Sequence, residues 1–208
     1  MKHKSLLFLF ISIISFQLTA QKLQTPDEFL GYKLGSRFTR HHKVVDYFKY
    51  ISENTNKVKF QEYGKTNELR TLAVAYVSSA SNIQNLETIR KQHLTNAGIE
   101  NTTGLKDKSI VWLSYNVHGN EASSTEASML TLYKLVTENS NYLENTVVIM
   151  DPCINPDGRD RYANWYNQVV ATPYNKNPDA REHNEPWPGG RPNHYLFDLN
   201  RDWAWATQ

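Results

Sequence analysis

His118 and Glu121 are the two residues whose types and spacing first suggest chemistry, because they lie three positions apart after a short apolar segment. Imidazole nitrogens and carboxylate oxygens both bind zinc. A histidine in a loop and a glutamate in the first turn of a following helix can converge on one cation. The alternative is an ordinary loop histidine beside an acid that the helix dipole favours. Taken alone, the pair leaves both interpretations open.

Two later motifs add polar side chains of the kinds that binding sites use. Asn155-Pro156-Asp157-Gly158 has the composition of a turn, which each of its residues favours locally. Asp198-Leu199-Asn200-Arg201 brings a planar guanidinium, which matches a carboxylate, next to the neutral donors of an amide. Taken alone, each motif is better explained by a structural role, as a turn in the first case and a surface ion pair in the second.

The elements that must position these residues follow from apolar periodicity. The spacing of Val44, Val45, Phe48 and Ile51 predicts an amphipathic helix. Residues 57–63 and 69–77 are predicted to form two strands, joined by turn residues as a hairpin. The pattern over 81–97 predicts one further helix, which Gly98 ends.

A strand, a helix and a strand then follow in order. The nearly continuous apolar run at 109–115 is typical of a central strand covered on both faces. A helix is predicted from Glu121 onward and another buried strand at 146–150. This order indicates a βαβ crossover in an α/β sheet, and such sheets place their sites at the carboxyl ends of the strands. From Asn155 to Pro192 the composition predicts a long, functional loop.

Composition excludes several classes of protein. The chain has 208 residues, 39% of them hydrophobic, which suits a globular protein with a core. The single cysteine, Cys153, excludes an internal disulfide framework and a cysteine-based zinc site. The 23 basic and 21 acidic residues form no basic stripe, so no nucleic-acid partner is expected.

Residues 1–20 are predicted to be a secretory signal peptide that is cleaved after Ala20. Lys2 and Lys4 precede an apolar run at 6–16, which is too short to span a bilayer. An uncleaved anchor is the alternative. We therefore expect a secreted or periplasmic protein, residues 21–208, with no membrane span once the signal has been removed.

The three motifs, taken together and in this order, resemble the zinc carboxypeptidase family, the carboxypeptidase A-like metallopeptidases. The resemblance extends from about Phe29 to the end of the chain, and the stretch from Asn155 to Trp205 is similar to secreted bacterial members. It implies an α/β fold with a mixed, mostly parallel sheet and helices on both faces, incomplete here at its C-terminal side. It also implies one Zn²⁺ per complete domain.

The same resemblance assigns roles by position. His118 and Glu121 would be zinc ligands, and Asp198 would accept a hydrogen bond from the His118 ring and fix its orientation. Asn200 and Arg201 would bind the terminal carboxylate of a peptide. The family's oxyanion-stabilising arginine is left unassigned, because the spacing from Gly158 fits none of the four arginines in its window, Arg159, Arg161, Arg181 and Arg191.

The family also needs a third zinc ligand and a general-base glutamate further along the chain than Arg201. His183 and His194 precede the Asn200-Arg201 pair, so neither matches the third ligand by order, and the general base is expected beyond Gln208. Residues 21–208 are therefore expected to be the N-terminal portion of a catalytic domain, inactive alone.

The expected function is zinc-dependent hydrolysis of C-terminal peptide bonds by an activated water, with a peptide bearing a free C-terminal carboxylate as the partner. Two alternatives remain open at this point. One is a cell-wall or N-acyl amino-acid amidase on the same scaffold. The other is a non-catalytic exported peptide-binding module that keeps the carboxylate clamp at Asn200 and Arg201. The sequence leaves residue preference and oligomeric state open.

Overall fold

The computed structural model of the protein describes residues 22–101 and 108–208. The predicted signal peptide, residues 1–20, lies outside the described residues. No helix in the described part of the chain is both long and apolar enough to cross a membrane.

Two helices open the described chain. Helix α1 (Pro26–Leu30) begins with a capping box between Thr25 and Glu28 and ends at Gly31, whose φ of +74° suits glycine. Helix α2 (His41–Asn54) is longer than the predicted 44–51 segment and buries the predicted apolar stripe. The sequence pattern therefore identified the buried face of α2 and missed its ends.

The predicted hairpin is present. Strand β1 (Val58–Lys65) pairs antiparallel with β2 (Thr71–Val77), with a register shift between Glu62 and Gly64. The predicted single helix at 81–97 is instead two helices, α3 (Ala80–Gln84) and α4 (Leu86–Asn96). Asn85 interrupts them, because its φ of −110° is not helical and its side chain donates to the Ser81 carbonyl.

The predicted βαβ unit is also present. Strand β3 (Ser109–Ser114) and strand β4 (Thr146–Asp151) pair in parallel, and α5 (Ser123–Thr137) connects them together with a 3₁₀ turn at Ser140–Glu144. The helix begins two residues later than predicted.

The four described strands form a mixed sheet in the order β1-β2-β4-β3, and helices cover both of its faces. Val148 and Met150 of β4 join the core beneath α2 and α5, with Phe48, Ile51 and Leu132 among its fully buried members. The alternate residues Val147 and Ile149 face α4 on the other side. The predicted α/β fold with a mixed sheet and helices on both faces is thus confirmed.

Two details of the sheet differ from expectation. Only the β3–β4 pairing is parallel, since β2 joins β4 antiparallel, so the described sheet is less parallel than predicted. The prediction that 109–115 is a central strand covered on both faces is wrong for the described residues. There β3 is an outer strand, and Ile110, Val111 and Trp112 are 41%, 42% and 61% exposed. Apolar composition indicates a preference for burial, but it does not encode which strand becomes a neighbour.

The segment predicted as a turn and long loop begins instead with a helix, α6 (Pro156–Val169). The Asn155 side chain accepts a hydrogen bond from the Gly158 N–H, and Pro156 occupies the first helical turn, so the Asn-Pro-Asp-Gly motif is a helix start. Two half-buried aromatic residues of α6, Tyr162 and Tyr166, pack against Phe38. Beyond Val169 the chain is irregular, with 3₁₀ turns at Arg181–His183 and Leu199–Arg201.

Candidate metal centre

His118 and Glu121 lie together in the loop between β3 and α5. The Nδ1 atom of His118 is 2.9 Å from Oε1 of Glu121. The imidazole is buried and the carboxylate is exposed, so the pair opens toward solvent on the Glu121 side. A nitrogen and an oxygen donor therefore face each other at the carboxyl end of a parallel strand.

Asp198 contacts the other side of the same ring. Its Oδ1 lies 2.9 Å from Nε2 of His118, and it also accepts from the Asn200 N–H. A proton on Nε2 that is donated to Asp198 leaves the lone pair on Nδ1, the atom that faces Glu121. Partial desolvation opposes ionisation of Asp198, yet the hydrogen bonds from His118 and Arg191 hold the pKa of its carboxyl below the ordinary value.

Arg191 is the arginine of the four considered that lies beside this pair. Its Nη2 and Nε donate to Oδ2 of Asp198 at 2.9 and 3.1 Å, and its Nη1 is 3.9 Å from Oε1 of Glu121. Its guanidinium thus adds a positive charge at the edge of the site.

The other three arginines have different surroundings. Arg159 is fully buried against Glu126, Arg161 donates to the carbonyl groups of Gly189 and Asn193, and Arg181 is exposed. Spacing from Gly158 did not single out Arg191. The sequence feature that could have identified Arg191 is the Gly189-Gly190 pair directly before it, because glycines permit two backbone segments to approach closely.

Asn200 and Arg201 are placed less tightly. The amide oxygen of Asn200 accepts from the Trp203 indole, and only its backbone N–H reaches Asp198. Arg201 is exposed, and its guanidinium donates to the Asn200 carbonyl. The described contacts connect Asn200 to the site through the main chain and do not bring the Arg201 side chain to it.

A buried asparagine that sequence reasoning missed holds the loop itself. Asn116 has a φ of +57°, and its Nδ2 donates to the carbonyl oxygens of His118, Gly119 and Glu121 at 2.8, 3.4 and 3.1 Å. Its Oδ1 accepts from the Cys153 thiol, whose pKa is raised by burial. One amide therefore connects both candidate ligands to the end of β4.

Three glycines pack backbone against backbone behind the site. A Cβ atom on Gly119 would overlap the main chain of both Gly158 and Gly190, and a Cβ on Gly158 would overlap the Gly190 carbonyl. Asn155 reinforces this contact, because its Nδ2 donates to the carbonyl groups of Val117 and Arg191. The start of α6 thus fixes the separation between the His118 loop and the Arg191 loop.

A buried ion pair supports the start of α5 from below. Arg159 donates to both carboxylate oxygens of Glu126, to the Thr39 carbonyl and to the Ala122 carbonyl. Thr39 also donates its N–H to Glu126 at 2.5 Å. Because Ala122 follows Glu121 directly, this network restrains the main chain next to a candidate ligand.

The donor set of His118 and Glu121 fits zinc in chemistry and orientation, but it is partial. A catalytic zinc needs three protein ligands. Among the described residues, no third histidine, cysteine or acid places a donor atom close to both His118 Nδ1 and the Glu121 carboxylate, since Asp198 lies on the opposite side of the ring. His183 instead bonds the Asn175 carbonyl and His194 bonds Glu68. The described chain thus supplies two facing donors and the group that orients one of them.

One cluster of possible metal ligands is found elsewhere among the described residues. It consists of Glu68, Asp157 and His194. The Arg70 guanidinium already lies among them, within 2.5 Å of Glu68 and 2.7 Å of Asp157. A second cation there would face this fixed positive charge, so an internal ion-pair network explains the cluster.

Comparison with known proteins gives a family and a set of distant structural neighbours. A family model described as zinc carboxypeptidase matches residues 44–208. No curated protein matches the chain significantly.

Solved structures similar to the chain include carboxypeptidase A from Helicoverpa armigera, at 21% identity and a TM-score of 0.47 over 75% of this chain and 32% of that one. A metallo-carboxypeptidase from Burkholderia cenocepacia has 15% identity and a TM-score of 0.45, over 78% of this chain and 32% of that one. Bovine thrombin-activatable fibrinolysis inhibitor, solved with a tick carboxypeptidase inhibitor, has 16% identity and a TM-score of 0.43, over 60% of this chain and 33% of that one. The chain spans about a third of the length of each.

Proposed function

We propose, from the premise that this chain belongs to the zinc carboxypeptidase family, that it contributes the first part of the active site of a metallocarboxypeptidase. The reaction would be hydrolysis of the C-terminal peptide bond of a peptide with a free terminal carboxylate. The observation that carries the proposal is the orientation of His118, with Nε2 held by Asp198 and Nδ1 facing Glu121.

In this proposal His118 and Glu121 hold the zinc ion. When bound, zinc polarises the scissile carbonyl and lowers the pKa of a bound water to about 7. Asp198 keeps His118 in the tautomer whose Nδ1 is a ligand. Arg191 is close enough to Glu121 to place a guanidinium beside the substrate carbonyl, where negative charge develops.

Asn200 and Arg201 are proposed to bind the terminal carboxylate of the substrate. The exposed Arg201 guanidinium would have to turn from the Asn200 carbonyl to make that contact. A mid-chain peptide segment would leave the guanidinium unpaired in a closed site, which costs about 1–3 kcal/mol or more. This penalty would give the enzyme its preference for chain ends.

A third zinc ligand and a general base complete the proposal, and both would come from outside residues 22–101 and 108–208. Zinc binding by the 208-residue chain is accordingly expected to be weak, and turnover negligible. The signal peptide would direct the protein to the periplasm or the exterior.

Zinc titration of the 208-residue chain tests the metal site. Wild-type protein should bind one zinc ion, and His118→Ala and Glu121→Gln should each weaken binding by about tenfold or more, equivalent to about 1.4 kcal/mol. The matched control is Glu53→Gln, which removes an exposed acid on α2. Equal zinc affinity in all four proteins would contradict the assignment.

Peptide hydrolysis tests the reaction. The 208-residue chain with zinc should not release residues from a peptide with a free carboxyl end at ordinary enzyme rates of about 1–10³ per second. A complete domain should release them, and should leave the C-terminally amidated peptide intact. Turnover by the 208-residue chain alone would refute the proposal that ligands are missing, while equal cleavage of both peptides by a complete domain would refute the carboxypeptidase assignment.

A further inference from the structure

An open groove lies away from the metal centre, between the segment 32–43 and the segment 166–174. Its volume is about 890 Å³, and none of the residues that line it belongs to the metal centre. Sites for small ligands and short peptides fall in the range of about 300–1,000 Å³. The groove is therefore large enough for several residues of an extended peptide.

The charge of the groove is of one sign. Arg37, Arg40 and Lys43 line it and are all exposed, and no aspartate or glutamate is among its lining residues. None of the three cations belongs to an ion pair among the described residues, where an N···O distance of 4.0 Å defines a pair. A recess lined by unneutralised cations concentrates anions from solution.

Positively charged side chains at the start of α2 are unfavourable unless an anion binds there. Arg40 is its N-cap, His42 and Lys43 follow within the first turn, and that turn contains no acid. The N-terminus of a helix carries a partial positive charge, so cations there are disfavoured by about 0.3–1 kcal/mol each. Local preferences are violated in this way chiefly at functional sites.

Two carboxylates on segments next to the groove are occupied elsewhere. Asp160 of α6 accepts from the His41 N–H and pairs with Arg70. Glu182, buried behind the groove wall, accepts the N–H groups of Ala171 and Asn175. Neither residue lines the groove, so neither neutralises the positive charge of the recess.

Four aromatic side chains form part of the remaining walls. Tyr32, Phe38, Tyr166 and Tyr174 line the groove, and the Arg37 guanidinium lies 5.0 Å from the centre of the Tyr32 ring. Aromatic faces suit the aliphatic parts of a ligand, while guanidinium groups pair with carboxylates through two parallel hydrogen bonds. Arginine clusters of this kind recognise acidic peptide motifs.

We propose that this groove binds an acidic segment of a polypeptide, with its carboxylates at Arg37, Arg40 and Lys43 and its chain across the aromatic walls. The proposal concerns a surface separate from the metal centre and does not rest on the carboxypeptidase assignment. It names a partner by its chemistry, which is an extended chain rich in glutamate or aspartate.

Fluorescence anisotropy of a labelled oligoglutamate peptide, amidated at its C-terminus and measured with a chelator present, tests the proposal without any carboxypeptidase chemistry. The 208-residue chain should bind this peptide, should bind the matching oligoglutamine peptide at least tenfold more weakly, and should lose affinity as salt screens the charges. The triple variant Arg37→Gln, Arg40→Gln, Lys43→Gln should bind oligoglutamate at least tenfold more weakly than wild type.

The matched control is Lys59→Gln, Lys65→Gln, Lys91→Gln, which removes three exposed cations from β1 and α4 and should leave binding unchanged. The single variant Arg37→Gln, expected to lose about threefold, keeps the test decisive if the triple variant folds poorly. Absence of binding, equal binding of both peptides, equal losses in groove and control variants, or tighter binding of a uronic-acid or sulfated oligosaccharide than of the peptide would overturn the proposal.

Discussion

Asn116 shows how one buried residue organises the loop of a candidate site. Few residues besides glycine adopt its φ of +57° at low cost, and asparagine is one of them. The conformation aims its amide at three carbonyl groups of the His118–Glu121 loop. We therefore assign it a positioning role.

Replacing Asn116 separates its two contributions. Asn116→Gly keeps the backbone conformation and loses the amide, which should lower the free energy of unfolding by about 2 kcal/mol, since buried carbonyls lose their donor. Asn116→Ala adds the strain of a left-handed backbone and should lower it by about 1–2 kcal/mol more. Urea unfolding measures both, and zinc affinity should fall alongside. Identical stability of the two variants would show that backbone strain is absent.

Asp151 is a buried acid at the end of β4. Desolvation raises its pKa to about 6, although the Tyr63 hydroxyl and the Cys153 N–H donate to it and oppose the shift. An unfolded aspartate has a pKa of about 3.9. The folded state thus binds the proton more tightly, so this group makes the protein less stable as pH rises from about 4 to about 6, with no further change above that window.

Asp151→Asn should remove this pH dependence. A shift of about two pKa units corresponds to a loss on the order of 3 kcal/mol for wild type between pH 4 and pH 7. The variant's free energy of unfolding, minus that of wild type, should therefore increase over that range. Denaturant unfolding at several pH values measures it, with the exposed Asp46→Asn as control. A pH-independent difference would contradict the raised pKa.

At the scale of elements, the contact among Gly119, Gly158 and Gly190 determines how closely the His118 loop, α6 and the Arg191 loop approach. Asn155 adds hydrogen bonds to two of these segments. The Asn-Pro-Asp-Gly motif is therefore a structural support in which the glycine is needed for packing between segments.

Gly158→Ala tests this packing, because it should lower the free energy of unfolding where a glycine-to-alanine change in a helix normally raises it. Alanine inside a helix is normally more stable than glycine by about 1 kcal/mol, but here its Cβ would overlap the Gly190 and Pro192 carbonyl groups. The variant should lose about 3 kcal/mol or more in unfolding free energy. Gly64→Ala is the control, because its nearest neighbour would be the Leu72 side chain at 3.9 Å. A Gly158→Ala protein as stable as wild type would contradict the close approach.

At the scale of the whole molecule, the sheet has an apolar outer edge among the described residues. Ile110, Val111 and Trp112 of β3 are all at least 41% exposed. Unpaired apolar strand edges favour association between chains. We therefore expect self-association of this chain at the outer strand β3.

Trp112→Lys should reduce self-association of the 208-residue chain, because a charged side chain on an outer strand disfavours pairing with another copy. Static light scattering over a concentration series measures it. Trp187→Lys removes a more exposed tryptophan, 84% accessible, that lies in a loop, and it should have a smaller effect. If both substitutions change association equally, general hydrophobicity and not the strand edge is responsible.

The sequence by itself determined the elements whose signals are local. The buried face of α2, the hairpin and the βαβ unit followed from periodicity and turn chemistry, because each depends on residues close in the chain. His118 and Glu121 were singled out by their residue types and spacing, and Asp198 by its place in the third motif. The family resemblance gave those positions their proposed roles.

Only the tertiary structure decided which distant residues meet. Arg191 and Asn155 reach the His118 loop through contacts between segments far apart in the chain, and neither spacing nor composition encodes such contacts. The same reason explains the outer position of β3, since a strand's neighbours depend on how the whole sheet assembles. The helix at Pro156 was missed because its buried residues are mostly polar or small and so give no apolar periodicity. Their partners lie far away in the chain, as with Glu126 for Arg159 and Phe38 for Tyr162.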